Sequence, residues 1–161
     1  MKIIVPIGIS GSGKTKLYKT RYSDLALVSP DLIRKEVNGN IMDGRFSQKV
    51  IDTINARIAD LVEKRESFFY DFVNVNTSKR KEFVNQFKDI DDIEIIYVVL
   101  PASVKRSSER IAKDLENKID RANVPHKALE KQYELYQESI ANNFEDENVS
   151  GIIYIKSGEL D

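Results

Sequence analysis

The chain has 161 residues, 41% hydrophobic and 32% charged, and its 25 basic and 26 acidic side chains leave a net charge of −1. That balance fits one globular domain with a substantial core and excludes a protein that coats nucleic acid by bulk positive charge. The absence of cysteine excludes disulfides, Cys-ligated zinc and thiol catalysis, and His126, the single histidine, excludes a multi-histidine metal centre.

No apolar stretch approaches the roughly 20 residues that cross a bilayer. The opening "MKIIVPIGIS" has neither the length nor the cleavage site of a secretory signal. A cytoplasmic protein without membrane contact is expected.

The first element is the apolar run at residues 3–7, read as a buried strand, in which Pro6 predicts a bulge or irregular pairing because it lacks an N–H. It leads into "GISGSGKT", which satisfies G-x-x-x-x-G-K-[ST] at Gly8, Gly13, Lys14 and Thr15. Glycines lack a Cβ, so several N–H groups can turn inward and approach phosphate oxygens closely. A helix following the loop adds unpaired N–H groups and a positive dipole end. Gly8, Ser10, Gly11, Ser12, Gly13, Lys14 and Thr15 are therefore expected to bind ATP. Lys14 would neutralise the terminal phosphates and the Thr15 hydroxyl would ligate Mg²⁺.

A second strand at residues 25–29 ends in "SPDLIRKEV". Ser29 reads as a helix cap, Pro30 as the first helical residue and Asp31 as favourable to the dipole. Asp31 and Arg34 also lie one turn apart on one face. In a phosphoryl-acceptor site the carboxylate would take the acceptor hydroxyl's proton and the guanidinium would hold an anionic group. Ile51, Ile54, Ile58 and Leu61 then mark the buried stripe of a long helix.

The third strand, residues 68–73, carries Asp71 near its end, where a carboxylate would hold Mg²⁺ through water beside Thr15. Asn74, placed with the acceptor group, and Asn76 follow in a loop, where either also suits a turn. A short helix is expected after Thr77 or Ser78 as cap, and "KRK" at 79–81 reads as a solvated helix face.

After the fourth strand, residues 93–100, a helix carries Val104, Ser108, Ile111 and Leu115 on its inner stripe and Arg106 and Arg110 on another face. Arg121 follows. Arginines on a lid-like segment around 103–125 would neutralise transition-state charge and exclude water, and Glu109 and Asp114 could instead pair with them on the surface. His126 reads as a solvated residue opening a helix after Pro125, with Leu129, Tyr133, Tyr136 and Ile140 facing inward, and a fifth strand at 152–156 closes the pattern. Strands alternating with helices predict parallel pairing in a three-layer α/β domain: a central five-stranded sheet, helices on both faces and ligands at the carboxyl strand ends.

Taken in order, "GISGSGKT", "SPDLIRKEV", "DFVNVNTSKR" and "VKRSSER…VPHKALEKQYELY" resemble the kinase domain of phage-type polynucleotide 5′-kinases, within the nucleotide-kinase-like P-loop class. The likeness follows the order of elements along nearly the whole chain, and only the first stretch is specific alone. It implies a single P-loop NTPase domain over residues 1–161 that uses ATP and Mg²⁺ and acts on a DNA or RNA 5′ end in nucleic acid repair.

On this likeness Lys14 and Thr15 handle ATP and Mg²⁺, Asp31 activates the acceptor, Arg34 reaches its phosphate, and Asp71 matches the acidic residue after the third strand with a one-residue shift. Arg106 and Arg110 match the lid arginines, with Arg110 counted among the catalytic groups. Arg121 competes for the second role because "IAKDLENKI" reads as an insertion.

Two departures are visible: family loops often carry proline where Ser10 stands, and the D-x-D-x-T phosphatase signature is absent, so phosphate removal is not expected. Another hydroxyl acceptor (a nucleoside, a nucleotide, a small alcohol or a hydroxymethylated base) remains compatible with the same fold, as does a nucleotide-binding switch or regulatory ATPase.

Overall fold

The structure is a computed structural model that describes residues 1–39 and 47–161. In chain order, β1 (Lys2–Ile7) leads through the glycine loop to α1 (Lys14–Leu17), which continues as π-helical turns over Tyr18–Tyr22. Then come β2 (Ala26–Val28), α2 (Pro30–Asn38), α3 (Gln48–Glu63), β3 (Phe68–Tyr70), α4 (Thr77–Asn85), β4 (Glu94–Val99), α5 (Val104–Glu116), α6 (His126–Ala141) and β5 (Gly151–Tyr154). The strands form one sheet in the order β2-β3-β1-β4-β5, every neighbouring pair parallel.

Alternation along the strands divides the core. Ile3, Val5, Ile7, Phe68, Ile95, Tyr97 and Val99 face one side, where α2, α3 and α4 bring Ile33, Val50, Ile54, Ile58 and Val84. Ile4, Phe69 and Val98 face the other, covered by Leu17 of α1, the π-helical Tyr18 and Tyr22, and Leu160. This is the expected three-layer α/β arrangement, with both faces of the parallel sheet buried.

Several local expectations change. The β1–β4 register runs straight through Pro6, opposite Val98, without a bulge. Successive residues of a parallel strand direct their polar groups to opposite neighbours. Gly8 N–H bonds Val73 on the β3 side while Leu100 N–H bonds Ile7 on the β4 side, so Pro6 turns its missing donor toward β3. There the paired register has already ended at Ile4 opposite Phe69, and the Pro6 carbonyl accepts from Asn74 Nδ2 at 2.8 Å.

Strand β3 itself stops at Tyr70 rather than at residue 73. The Asp71 N–H still bonds Val28, but Phe72 turns back onto Tyr70 and Asn74 adopts a left-handed φ of 56°.

On α3 the buried stripe is Val50, Ile54 and Ile58, spaced by four, and Ile51 is exposed. On α5 it is Ser107 and Ile111 rather than Ser108. Asn76, not Thr77 or Ser78, caps α4, its Oδ1 accepting from the Lys79 N–H at 3.1 Å. The basic "KRK" run is not uniformly solvated: Lys79 is exposed, but Arg80 is 2% exposed. Arg80 lies in a bidentate pair with Glu147 at 2.8 and 3.0 Å, and its Nη1 donates to the Asn74 carbonyl at 2.8 Å. Tyr97 adds a hydroxyl hydrogen bond to Glu147 at 2.7 Å. Ser29 caps α2 as expected, and His126 opens α6, exposed and bonded to Glu130.

Candidate phosphate-binding cleft

The carboxyl ends of β1, β2 and β3 open onto one cleft of about 2160 Å³. The glycine loop forms its floor. Gly11 and Gly13 have φ of 77° and 106°, values that side-chain-bearing residues rarely adopt. A Cβ on Gly8 would lie 2.4 Å from Ser12 Oγ, so only glycine lets the loop close over that hydroxyl. The N–H groups of Gly11, Gly13, Lys14 and Thr15 carry no hydrogen bond within the described residues. Ser12 Oγ is buried without a partner among them. Buried polar groups are normally satisfied, and this loop offers several donors to a bound anion.

Cations surround the cradle. Lys14 Nζ folds back onto the carbonyls of Ile9 at 2.9 Å and Gly8 at 3.2 Å. Burial pushes its pKa down to about 8, against the favourable field of Asp71 and, more weakly, of Asp31, while Arg121 lowers it further. Arg110, from α5, donates to the Gly11 carbonyl at 3.0 Å. Arg106 bonds Ser157 Oγ at 3.3 Å. Arg121 pairs with Asp114 at 2.7 Å, one of the surface partners the sequence suggested. Ser10 is held from α6, its N–H donating to Gln132 Oε1 at 2.8 Å. Gln132 has no motif to reveal it in the sequence.

Two carboxylates line the same cleft. Asp31, exposed in the first turn of α2, accepts from Arg34 Nη2 at 2.8 Å, and the Arg34 side chain is 3% exposed. Burial raises the Asp71 pKa, Lys14 opposes that rise and Asp31 adds to it. Lys14, Asp31 and Asp71 thus converge closely enough to feel one another. Asn74 lines the same cleft, but its amide is turned to backbone, donating to Pro6 and to Phe72 at 2.9 Å. An ion pair between Lys35 of α2 and Asp120 joins the two rims.

The residues fit a magnesium ion in kind. Thr15 has an exposed hydroxyl with no hydrogen bond within the described residues, and two mutually repelling carboxylates stand nearby. Mg²⁺ takes hard oxygen ligands and keeps several waters, so it needs few protein groups. Among the described residues there is no group of three or more His, Cys, Asp or Glu placed to hold a metal, and none of their helices is long and apolar enough to cross a membrane.

A parallel sheet with this loop at the end of a central strand, a lysine in the loop and acidic groups at the next two strand ends defines a P-loop kinase-type fold, for which ATP use is implied. The chain belongs to the AAA_33 family, described as an AAA domain, which it matches over residues 3–139.

Comparison with curated proteins gives no match. Among solved structures the chain is similar to one in the Pnkp1/Rnl/Hen1 RNA repair complex, with a TM-score of 0.70 and 23% identity. The match covers 88% of the chain but spans only 45% of that protein's length. It also resembles a gluconokinase from Sinorhizobium meliloti 1021, at TM-score 0.51 and 17% identity over 96% of this chain and 81% of the other. A shikimate kinase from Acinetobacter baumannii matches at TM-score 0.51 and 15% identity, over 98% and 86%. Together these show the kinase-like α/β fold.

Proposed function

We propose that this chain is a cytoplasmic, Mg²⁺-dependent kinase that transfers the γ-phosphoryl group of ATP to the 5′-hydroxyl of a DNA or RNA end. The observation that carries the reading is that the Asp31–Arg34 pair and the Lys14 loop line one cleft, with Asp71 electrostatically coupled to both Lys14 and Asp31. The RNA-repair setting of the similar chain supports a nucleic-acid acceptor.

In this reading the loop N–H groups and Lys14 hold the β- and γ-phosphates. Thr15 and Asp71 would hold Mg²⁺, which when bound neutralises charge on the phosphate oxygens. Asp31 takes the proton of the acceptor hydroxyl as that oxygen forms its bond to the γ-phosphorus. The bond to the bridging oxygen breaks with its electron pair, and ADP leaves. Arg34 keeps the Asp31 carboxylate directed and lends positive charge to an acceptor phosphate. Arg106, Arg110 and Arg121, on the lid-like segment around 103–125, neutralise charge on the transferring group.

Asp31→Asn tests the assignment. The variant is expected to bind ATP normally and to transfer label from ATP to a 5′-hydroxyl oligonucleotide at least about 100-fold more slowly, the scale of general-base catalysis. Near-normal transfer would remove Asp31 from the mechanism. The gluconokinase and shikimate kinase folds favour a second reading, a small-alcohol acceptor. Salt separates the two: binding of an oligonucleotide weakens steeply as salt rises, whereas binding of a neutral alcohol does not.

A further inference from the structure

The peptide unit between Ile9 and Ser10 is held on both of its edges. Its carbonyl accepts from Lys14 Nζ at 2.9 Å and from the Ser12 N–H at 3.1 Å. Its N–H donates to Gln132 Oε1 at 2.8 Å, across 122 residues of chain. A carbonyl has two lone pairs and a peptide one N–H, so the hydrogen-bonding capacity of this unit is filled. The Ile9 side chain is fully buried and fixes one end of it.

Gln132 reaches the loop from a rigid base. Leu129, three residues earlier on α6, is 1% exposed, and the Tyr136 hydroxyl, four residues later, donates to the Leu100 carbonyl at 2.7 Å. Residues at those steps share one helix face, so Gln132 stands on the inward side of α6, half-buried, and lines the cleft. From α5, Arg110 Nη1 donates to the Gly11 carbonyl at 3.0 Å, and a Cβ on Gly11 would come within 3.1 Å of the Ser107 carbonyl. The two helices that flank the lid-like segment therefore hold consecutive residues of the loop.

Planarity makes the two edges of a peptide one mechanical unit. Fixing the N–H fixes the direction of the carbonyl, and a hydrogen bond at the N–H polarises the amide and strengthens that carbonyl as an acceptor. The group that gains is the Lys14 ammonium. A glutamine supplies the acceptor for Ser10 without setting a negative charge beside a phosphate site.

We infer that Gln132 is a positioning residue of the cradle: through the Ile9–Ser10 peptide it holds Lys14 Nζ in the place from which it meets the terminal phosphates of ATP. The inference rests on the kinase reading of the Lys14 loop and adds the distant residue that presets it.

One neutral hydrogen bond contributes a factor of roughly 2 to 10 to an equilibrium. Gln132→Leu keeps the bulk and loses the acceptor, and is expected to weaken ATP binding by about that factor in calorimetry. The loss should depend on Lys14. In a Lys14→Met background, Gln132→Leu is expected to cost a smaller factor than in the unmodified protein. The same fold-loss in both backgrounds would show Gln132 shaping the loop without acting on Lys14. No loss in either would remove it from the cradle. Each of these results overturns the inference and leaves the kinase reading standing, whereas no ATP binding by the unmodified protein would sink both.

A second measurement needs no variant. Without nucleotide, the Ser10 amide of the unmodified protein is expected to exchange with deuterium at least about tenfold more slowly than those of Gly11 and Gly13, which carry no hydrogen bond within the described residues. Exchange of Ser10 at their rate, followed by NMR, would overturn the inference even if the variants do not fold.

Discussion

The side-chain amide of Asn74 donates to the carbonyl of Pro6 at 2.8 Å, across the gap where β3 has turned away from β1. The same amide holds Phe72, and the Asn74 carbonyl is held by Arg80. One residue therefore stitches the loop bearing Asp71 to the strand that feeds the phosphate cradle. Asn74→Ala removes these bonds and leaves a non-glycine residue at φ 56°, where Asn is tolerated better than Ala. The expected loss is about 2–4 kcal/mol, read by urea denaturation. Asn74→Gly, which suits the backbone but lacks the amide, should lose less. Equal losses would mean that the left-handed backbone costs alanine nothing.

Lys14, with its pKa depressed to about 8 chiefly by burial, gives the cleft a defined pH response. A bound triphosphate favours the ammonium form, so the pKa rises on binding. Above about pH 8, ATP binding then takes up a proton and weakens as pH increases, by at most about tenfold per unit. Calorimetry in buffers of different ionisation heat should detect more proton uptake at about pH 8.5 than at about pH 6.5. Asp71→Asn removes the carboxylate that favours the ammonium, and should move the midpoint lower.

The Arg80–Glu147 pair is buried on both sides, each side chain 1% exposed, and Arg80 also lies 5.1 Å over the Phe144 ring. Removing one partner strands a charge in the core. Glu147→Gln or Arg80→Met is expected to cost about 3–5 kcal/mol, again by urea denaturation. The double variant should cost less than the sum of the two. Additive losses would show that the charges do not depend on each other.

Gly8 and Ser12 form a steric pair. Gly8→Ala places a methyl 2.4 Å from Ser12 Oγ, an overpacking expected to cost about 1–3 kcal/mol and to weaken nucleotide binding by distorting the cradle. Adding Ser12→Ala removes that contact and leaves approaches of 3.3 Å to Ser12 Cβ and Leu100 Cβ. The double variant should recover part of the loss in both melting temperature and ATP affinity. No recovery would locate the strain elsewhere.

Runs of β-branched and aromatic residues, the helical stripes between them and the spacing of Gly8, Gly13, Lys14 and Thr15 were enough to determine the parallel three-layer sheet and the loop at the carboxyl end of its first strand. These signals are local: each depends on neighbours within one strand or a few helical turns. Asp31 and Arg34 were legible for the same reason, being one turn apart on α2.

What only the tertiary structure decided depends on partners far away in the chain. Arg80 reads as one charge in a basic run until Glu147, 67 residues later, is brought against it. Pro6 reads as a break in the ladder until Asn74, 68 residues on, accepts the role of the absent strand neighbour. Gln132 meets Ser10 across 122 residues, and the Phe87–Phe83–Tyr70–Phe72 ladder joins two elements that no period links. Periodicity also yields a stripe without its phase, which is why Val50 rather than Ile51 is buried on α3. Spacing encodes the local backbone, whereas the burial and pairing of a side chain depend on which distant segments pack against it.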